Sequence, residues 1–180
     1  MGRNKLLLAF AGESVVRRAV RRALAVLDPV IVVLGHEADQ VRAELAGLPC
    51  RIVVNPEHGR GINTSVRTGI AALPAEVAAA VVLLADMPLV TTAMLVGLVE
   101  RFRATGAPLV ISRYGDAVAP PHLYARPLFT DLAEAGSGKP IIGRHHAEAE
   151  VLAWPAAALA DLDVPADRER VEALLAADSG

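Results

Sequence analysis

The sequence predicts an α/β fold: a mostly parallel sheet between two layers of helices, with a small antiparallel addition toward the C-terminal end. Three observations predict it. Short β-branched or leucine-rich runs recur along the chain, and between them lie stretches of helical length with apolar residues three and four positions apart. Hydrophobic residues make up 53% of the 180 and charged residues 21%, well away from the composition at which chains stay disordered.

The runs PVIVVLG (29–35), CRIVVN (50–55), AAVVLLAD (79–86) and APLVISR (107–113) are expected as strands buried on both faces. Residues 14–27, 37–45, 63–73 and 91–104 are expected as the amphipathic helices that connect them. A βαβα order with continuous apolar strands implies right-handed crossovers and ligands at the strands' C-terminal ends. Beyond residue 114 the pattern loosens. GDAVAPPHLYARPLF, with its glycine and two adjacent prolines, reads as a loop or short antiparallel hairpin, and residues 126–135 read as a short helix. AGSGKPIIGRHH comes next as a glycine-rich turn leading into a second short helical or irregular piece, and EVLAWP as a late strand, expected antiparallel. A last helix is expected after Pro165. Residues 6–10, apolar but crowded by the helix that begins at Ser14, are expected as extended surface chain.

A chain of this length buries roughly 70% of its unfolded surface, enough for one core, so residues 1–180 are expected to form a single domain. The net charge of −2 supplies no positive field for nucleic acid or an anionic membrane. Cys50, the lone cysteine, excludes an internal disulfide and any cysteine cluster for zinc or iron and sulfur. No apolar stretch approaches the ~20 residues that span a bilayer, and the N-terminus lacks a signal-peptide pattern, so a soluble cytoplasmic protein is expected. GxSxG, GxGxxG and GxxxxGK(S/T) are all absent, which removes the main support for hydrolase-triad, dinucleotide and P-loop readings.

Two constellations remain. Asp86 closes VVLLAD and is followed by Met87-Pro88, so its carboxylate is expected at the C-terminal edge of a central strand that Pro88 stops. Asp161 and Asp163 in ADLDVPAD are further acids. Mg²⁺, which binds a few carboxylates plus substrate phosphates, suits such a set, although Asp163 or Asp167 taken alone reads as a helix N-cap. The second constellation is NPEHGRGINTSVRTG (55–69), a strand end, a loop with Gly59 and Gly61, and a helix opening on Asn63, Thr64 and Ser65. Glycines admit close backbone approach, and such a helix start binds phosphate or the polar edge of a base; it is equally an ordinary cap. Lys5 is a cation able to neutralise a triphosphate, or simply a solvated lysine. His36 and His58 fall in loops at the ligand edge. His145 and His146 point apart and lack a third metal ligand nearby in sequence.

Taken in order, MGRNKLLL, GHEADQV, VVNPEHGRGINTSVRTGI, VVLLADMPLVT, ISRYGD, APPHLYARPLF and DLDVPAD resemble the MobA-like nucleotidyltransferases, particularly the molybdenum cofactor cytidylyltransferase branch. The resemblance covers nearly the whole chain and implies a Rossmann-like three-layer sandwich. It implies that Lys5, matching the lysine of MGxxK, contacts nucleotide phosphates, and that Asp86, in the (G/A)DxP turn, binds Mg²⁺. Asp161 and Asp163 match the DIDTPED-like tail as second metal contacts. Gly61, Ile62 and Ser65 match the GMxxS helix start, which places Gly61, Asn63, Ser65 and Arg67 near the nucleotide. The family's opening strand and most of its glycine-rich LAAGxSxR loop have no counterpart in the sequence, so the domain is expected to be N-terminally incomplete. The implied reaction transfers a nucleoside monophosphate from a triphosphate, CTP before GTP, to a phosphorylated acceptor, with release of pyrophosphate. Around residues 114–129 the acceptor is expected to dock; for the closest branch it is molybdopterin, and a molybdenum enzyme is an expected partner. The alternatives are transfer from GTP or to a sugar phosphate, and a non-catalytic nucleotide-binding partner in molybdenum enzyme maturation.

Overall fold

The computed structural model describes residues 4–10, 12–135 and 138–159. Asp161, Asp163 and the helix expected after Pro165 lie outside them.

The chain opens with a 3-10 turn, Lys5–Leu7, and a two-residue antiparallel ribbon of β1 (Ala9–Phe10) and β2 (Glu13–Ser14). Helix α1 (Val15–Leu24) starts where the Ser14 hydroxyl accepts the Arg17 N–H at 3.4 Å, a standard serine cap. Its Val15, Val16, Ala19, Val20 and Ala23 recur at helical spacing and are buried. Arg21 pairs with the Glu13 carboxylate, while Arg17, Arg18 and Arg22 bind backbone carbonyls. Arg17 donates to Glu44 O (2.6 Å) and Ala46 O (3.0 Å), a cation at the C-terminal end of α2 (Ala38–Glu44). Arg22 donates to Pro88 O (2.7 Å) and Val90 O (2.6 Å), which pins the turn following Asp86.

Residues 6–10 are not surface chain as expected from the sequence. Phe10 is 2% exposed, and Leu6 and Leu7 pack against Val16, Val20, Leu34, Val41 and Leu45. The reason is local: the Asn4 side chain accepts the Leu6 N–H at 3.1 Å and folds the segment into a turn, so both leucines reach the apolar side of α1 and α2.

Strands β3 (Ile31–Leu34) and β4 (Arg51–Val54) form a parallel pair, with Ile31 opposite Arg51 and Leu34 opposite Val54. After β4 the chain runs through α3 (Ile62–Ala71), β5 (Ala79–Val82) and α4 (Thr92–Thr105). Helix α4 is capped by the Thr91 hydroxyl on the Met94 N–H (3.2 Å) and ends on Gly106 at φ 65°, a left-handed cap that a glycine adopts without strain. The other strands are β6 (Leu109–Tyr114), β7 (Ala117–Val118), β8 (His122–Ala125) and β9 (Glu150–Trp154); α5 (Phe129–Ala135) and α6 (Gly138–His145) separate the last two. Together with β5 these make a five-stranded sheet in which β8 lies between β5 and β6, antiparallel to both.

The α/β architecture is therefore the expected one, with a mixed sheet. β9, expected antiparallel, runs parallel to β6 from Val110–Glu150 to Tyr114–Trp154, because α5 and α6 carry the chain back across the sheet before it returns. Among the described residues no ladder bonds join β3–β4 to the larger sheet. Side chains bridge them: Val30 touches both the Val16–Leu45 cluster and the Met87–Tyr114 cluster. β5 sits at the end of its sheet, so its residues are half-buried where burial on both faces was expected, whereas Leu109, Val110, Leu95 and Leu98 are 0% exposed. Each of those fully buried side chains contributes about 1.5–3 kcal/mol, enough to make β6 and α4 the anchor on which the strand ends are registered.

Candidate active site

The sheet's C-terminal rim gathers most of the residues singled out by the sequence. After β5 the chain continues through Leu83–Leu84–Ala85 and turns at Asp86, where the Met87 N–H donates to Leu84 O (3.4 Å) and the Val90 N–H to Met87 O (3.3 Å). Arg22 holds the carbonyls of this turn from below. Asp86 keeps 24% of its side chain exposed, and Lys5 Nζ lies 2.7 Å from its Oδ2. The residues expected as phosphate contact and metal contact are thus brought together. An ion pair this exposed contributes about 0–1 kcal/mol, so an incoming charged ligand can part it at little cost. Lys5 is placed by Asn4, whose Nδ2 donates to Glu37 Oε2 at 2.9 Å. Glu37 itself stands in the left-handed region at φ 51°, after the turn that leaves β3.

The loop after β4 is organised by Asn55, 1% exposed, a residue the sequence does not single out. Its amide donates to Thr64 Oγ1 (2.7 Å) and Ser65 Oγ (3.0 Å), and its Oδ1 accepts the Glu57 N–H (2.9 Å). The Thr64 hydroxyl shares its proton between Gly61 O (2.9 Å) and Glu57 O (3.1 Å). One buried amide therefore fixes both ends of the glycine loop, and removing it would leave buried polar partners unsatisfied. The available signal is an asparagine ending an apolar strand directly before a proline. Gly61 sits at φ 111° with open space where a Cβ would be, so glycine is required by backbone conformation alone. At Gly35 the constraint is contact: a Cβ there would collide with His58 Cβ and lie 2.7 Å from its Cγ. His58 thus rests on the backbone that leaves β3, with its ring 6.4 Å from that of His36.

Asn63 and Arg67, expected at the nucleotide, line an open cavity of about 570 Å³ together with Glu57, Arg60, Thr64, Ala133 and Glu134. Ser65 instead turns inward to Asn55.

The segment expected to receive the acceptor is mostly core. Tyr114, His122, Leu123 and Tyr124 are 1–4% exposed, and the open positions are the tip at 115–118 and Arg126–Pro127. Ser112, fully buried, donates its hydroxyl to Pro121 O (2.6 Å) and its N–H to His122 Nδ1 (3.1 Å), so the His122 proton resides on Nε2. Desolvation pushes the His122 imidazole down to about 4. Burial likewise raises the phenols of Tyr114 and Tyr124, the latter to about 12. Because unfolded His122 titrates near 6.5 and the native group near 4, the unfolded state binds more protons between those values. Stability is therefore expected to fall as pH drops from about 6.5 to about 4, by on the order of 3 kcal/mol from this group. His122→Asn keeps an acceptor for the Ser112 N–H; urea melts at pH 7 and pH 4.5 should show a smaller acid loss than in the unsubstituted protein, and an equal loss would contradict the assignment.

Among the described residues no group of three or more His, Cys, Asp or Glu converges on a metal position, His145 and His146 included. Asp86 offers one carboxylate, beside the Lys5 ammonium. That suits an ion of the Mg²⁺ type, which keeps waters and substrate oxygens as most of its ligands, and not a protein cage. Nor is any described helix long and apolar enough to cross a membrane.

Residues 1–154 match the family described as MobA-like NTP transferase domain. A curated relative from Rubrobacter xylanophilus, the bifunctional IPC transferase and DIPP synthase, is 39% identical over 77 residues, 41% of this chain and 18% of that protein. The chain spans about a fifth of the length of the curated relatives it matches. Among solved structures, Rv0371c from Mycobacterium tuberculosis superposes with a TM-score of 0.82 at 28% identity, covering 96% of this chain and 90% of that one. A manganese complex of the same protein gives 0.77 at 27% identity, over 96% and 93%.

Proposed function

Since the chain belongs to the family of MobA-like NTP transferase domains, we propose that it transfers the nucleoside monophosphate of CTP to a phosphorylated acceptor, molybdopterin, and releases pyrophosphate, with maturation of a molybdenum enzyme as the setting. The observation that carries the reading is the Lys5–Asp86 pair at the rim, 2.7 Å apart and partly open to solvent. The motif resemblance to the cytidylyltransferase branch supports CTP and the pterin phosphate.

In this reading an acceptor phosphate oxygen forms the new bond to the α-phosphorus as the bond to the β-phosphate bridge breaks, and the electron pair leaves on pyrophosphate. An ionised phosphate needs no general base, so the protein's work is alignment and charge neutralisation. Asp86, with Asp161 and Asp163, would hold Mg²⁺; when bound, that ion offsets triphosphate charge. Lys5 leaves the Asp86 carboxylate for the phosphates and stabilises the departing pyrophosphate. Gly61, fixed through Thr64, presents its backbone to the base and sugar, while the Ser65 hydroxyl, turned inward to Asn55, holds that loop in place.

Pyrophosphate release measured with each of the four triphosphates, Mg²⁺, and either molybdopterin or a sugar 1-phosphate tests the reading. CTP with molybdopterin is expected to turn over at least about tenfold faster than any other pair, a difference of about 1.4 kcal/mol in transition-state binding. Turnover with another triphosphate or acceptor would reassign the substrates, and nucleotide binding without any turnover would leave a non-catalytic partner.

A further inference from the structure

We infer that two copies of this chain associate through the outer edge of β9, which pairs antiparallel with itself across a two-fold axis at Leu152. The inference lies beyond the proposed transfer reaction and does not rest on it.

β9 is an end strand of the five-stranded sheet. It pairs with β6 alone, and among the described residues no strand lies on its other side. The chain leaves it inward, since Ala156 packs on the turn between β6 and β7, its Cβ 3.3 Å from where a Cβ on Gly115 would stand. An end strand offers a row of backbone N–H and C=O groups to any other strand, and soluble proteins ordinarily blunt it with lysine, proline or a bulge. β9 has none of these. Its register with β6 is unbroken from Glu150 to Trp154, and its one charge, Glu150, is drawn toward α4 by Arg101 at 2.8 Å.

The order of its side chains suits a second copy. In an antiparallel pair centred on Leu152, each Val151 stands opposite Ala153 of the other copy, Leu152 opposite Leu152, and Glu150 opposite Trp154. Val151 and Ala153 share the face of Ile111 and Arg113 and are both exposed, Val151 by 39%. Apolar cross-strand pairs there take that surface out of water. Leu152 and Trp154 lie on the other face, against Leu98 and Gly97 of α4. Trp154 Nε1 is buried and has no hydrogen-bond partner among the described residues, while Glu150 gives Arg101 only its Oε2. The pairing thus sets a spare carboxylate oxygen opposite an unsatisfied N–H, twice over, because a two-fold axis repeats every contact. An unrelated apolar strand would not supply that match. Five residues a side bury less than the roughly 800 Å² per partner of a standard interface, so the association is weak, with a dissociation constant on the order of 100 μM.

Sedimentation equilibrium from about 10 μM to about 1 mM tests the pairing and is expected to show a monomer converting to a dimer. The indole N–H signal of Trp154, the one tryptophan of the chain, is expected to shift with the dimer population. Val151→Lys puts a charge on the edge and is expected to weaken association about tenfold or more. Ala153→Lys is expected to do the same and replaces it should the first variant lose its thermal midpoint. Val118→Lys adds the same charge at a valine 47% exposed on β7, across β6 from the edge, and is expected to leave association unchanged. A monomer at every concentration, an indole signal that ignores concentration, unchanged association in the folded β9 variants, or equal weakening by Val118→Lys would each overturn the pairing. No nucleotide or turnover enters the measurement, so its failure is distinct from failure of the transferase reading.

Discussion

Asp86→Asn is expected to lower kcat for nucleotidyl transfer by about 10³-fold, the order seen when one preorganised electrostatic contact to a reacting phosphate or oxyanion is removed. The substitution keeps the size and planarity of the side chain and removes only the charge. Its structural consequence is small because the pair with Lys5 is exposed and worth at most about 1 kcal/mol, a shift in Tm of about 2–4 °C for a chain this long. The turn itself does not depend on the carboxylate: Arg22 on Pro88 O and Val90 O, and the Met87 and Val90 N–H bonds, hold it. Loss of activity with an unchanged fold would place Asp86 at the chemistry. A variant that retains within about tenfold of the original kcat would remove Asp86 from it.

Gly35→Ala is expected to cost about 1–3 kcal/mol, the usual range for forcing one methyl into a filled space, and to weaken nucleotide binding as well. The added Cβ would collide with His58 Cβ and meet Cγ at 2.7 Å, and neither is the far end of a flexible chain. The 3-10 turn of His58–Arg60 must therefore move, and with it Gly61 and the start of α3, whose first turn is bonded to the same loop through Thr64. A double-mutant cycle separates this contact from a general effect on β3. Gly35→Ala/His58→Gly removes the clashing atoms and should recover most of the lost midpoint in a thermal melt, with a coupling of about 1 kcal/mol or more. Additive losses would show that the strain lies elsewhere.

Asp86 and the glycine loop also show how far the sequence alone carries. Asp86 is legible as an acid that closes an apolar run before a proline, although β5 stops at Val82 and lies at the edge of its sheet where a central strand reaching Asp86 was expected, and Lys5 is legible because the resemblance singles it out. The four leading strands and their helices come from local periodicity, and all lie within a few residues of their expected places. The position of β8 is not legible: HLYA is short, preceded by two prolines, and becomes a central strand only through pairing with β5 and β6. The direction of β9 depends on the path taken by α5 and α6, which no residue in EVLAW encodes. Asn55 escapes notice for a related reason, since its partners Thr64 and Ser65 meet it only once α3 has folded back over the end of β4. Likewise, nothing in RGINTSVR announces a cavity, because its opposite wall is the last turn of α5.

Manganese binding in the presence of CTP, followed by the loss of the free-ion paramagnetic resonance signal, interrogates the rim most directly. The unsubstituted protein is expected to take up Mn²⁺ together with CTP, and Asp86→Asn to bind CTP while taking up at least about tenfold less of the ion. Equal uptake by the two proteins would contradict the assignment of the metal–triphosphate site to the end of β5.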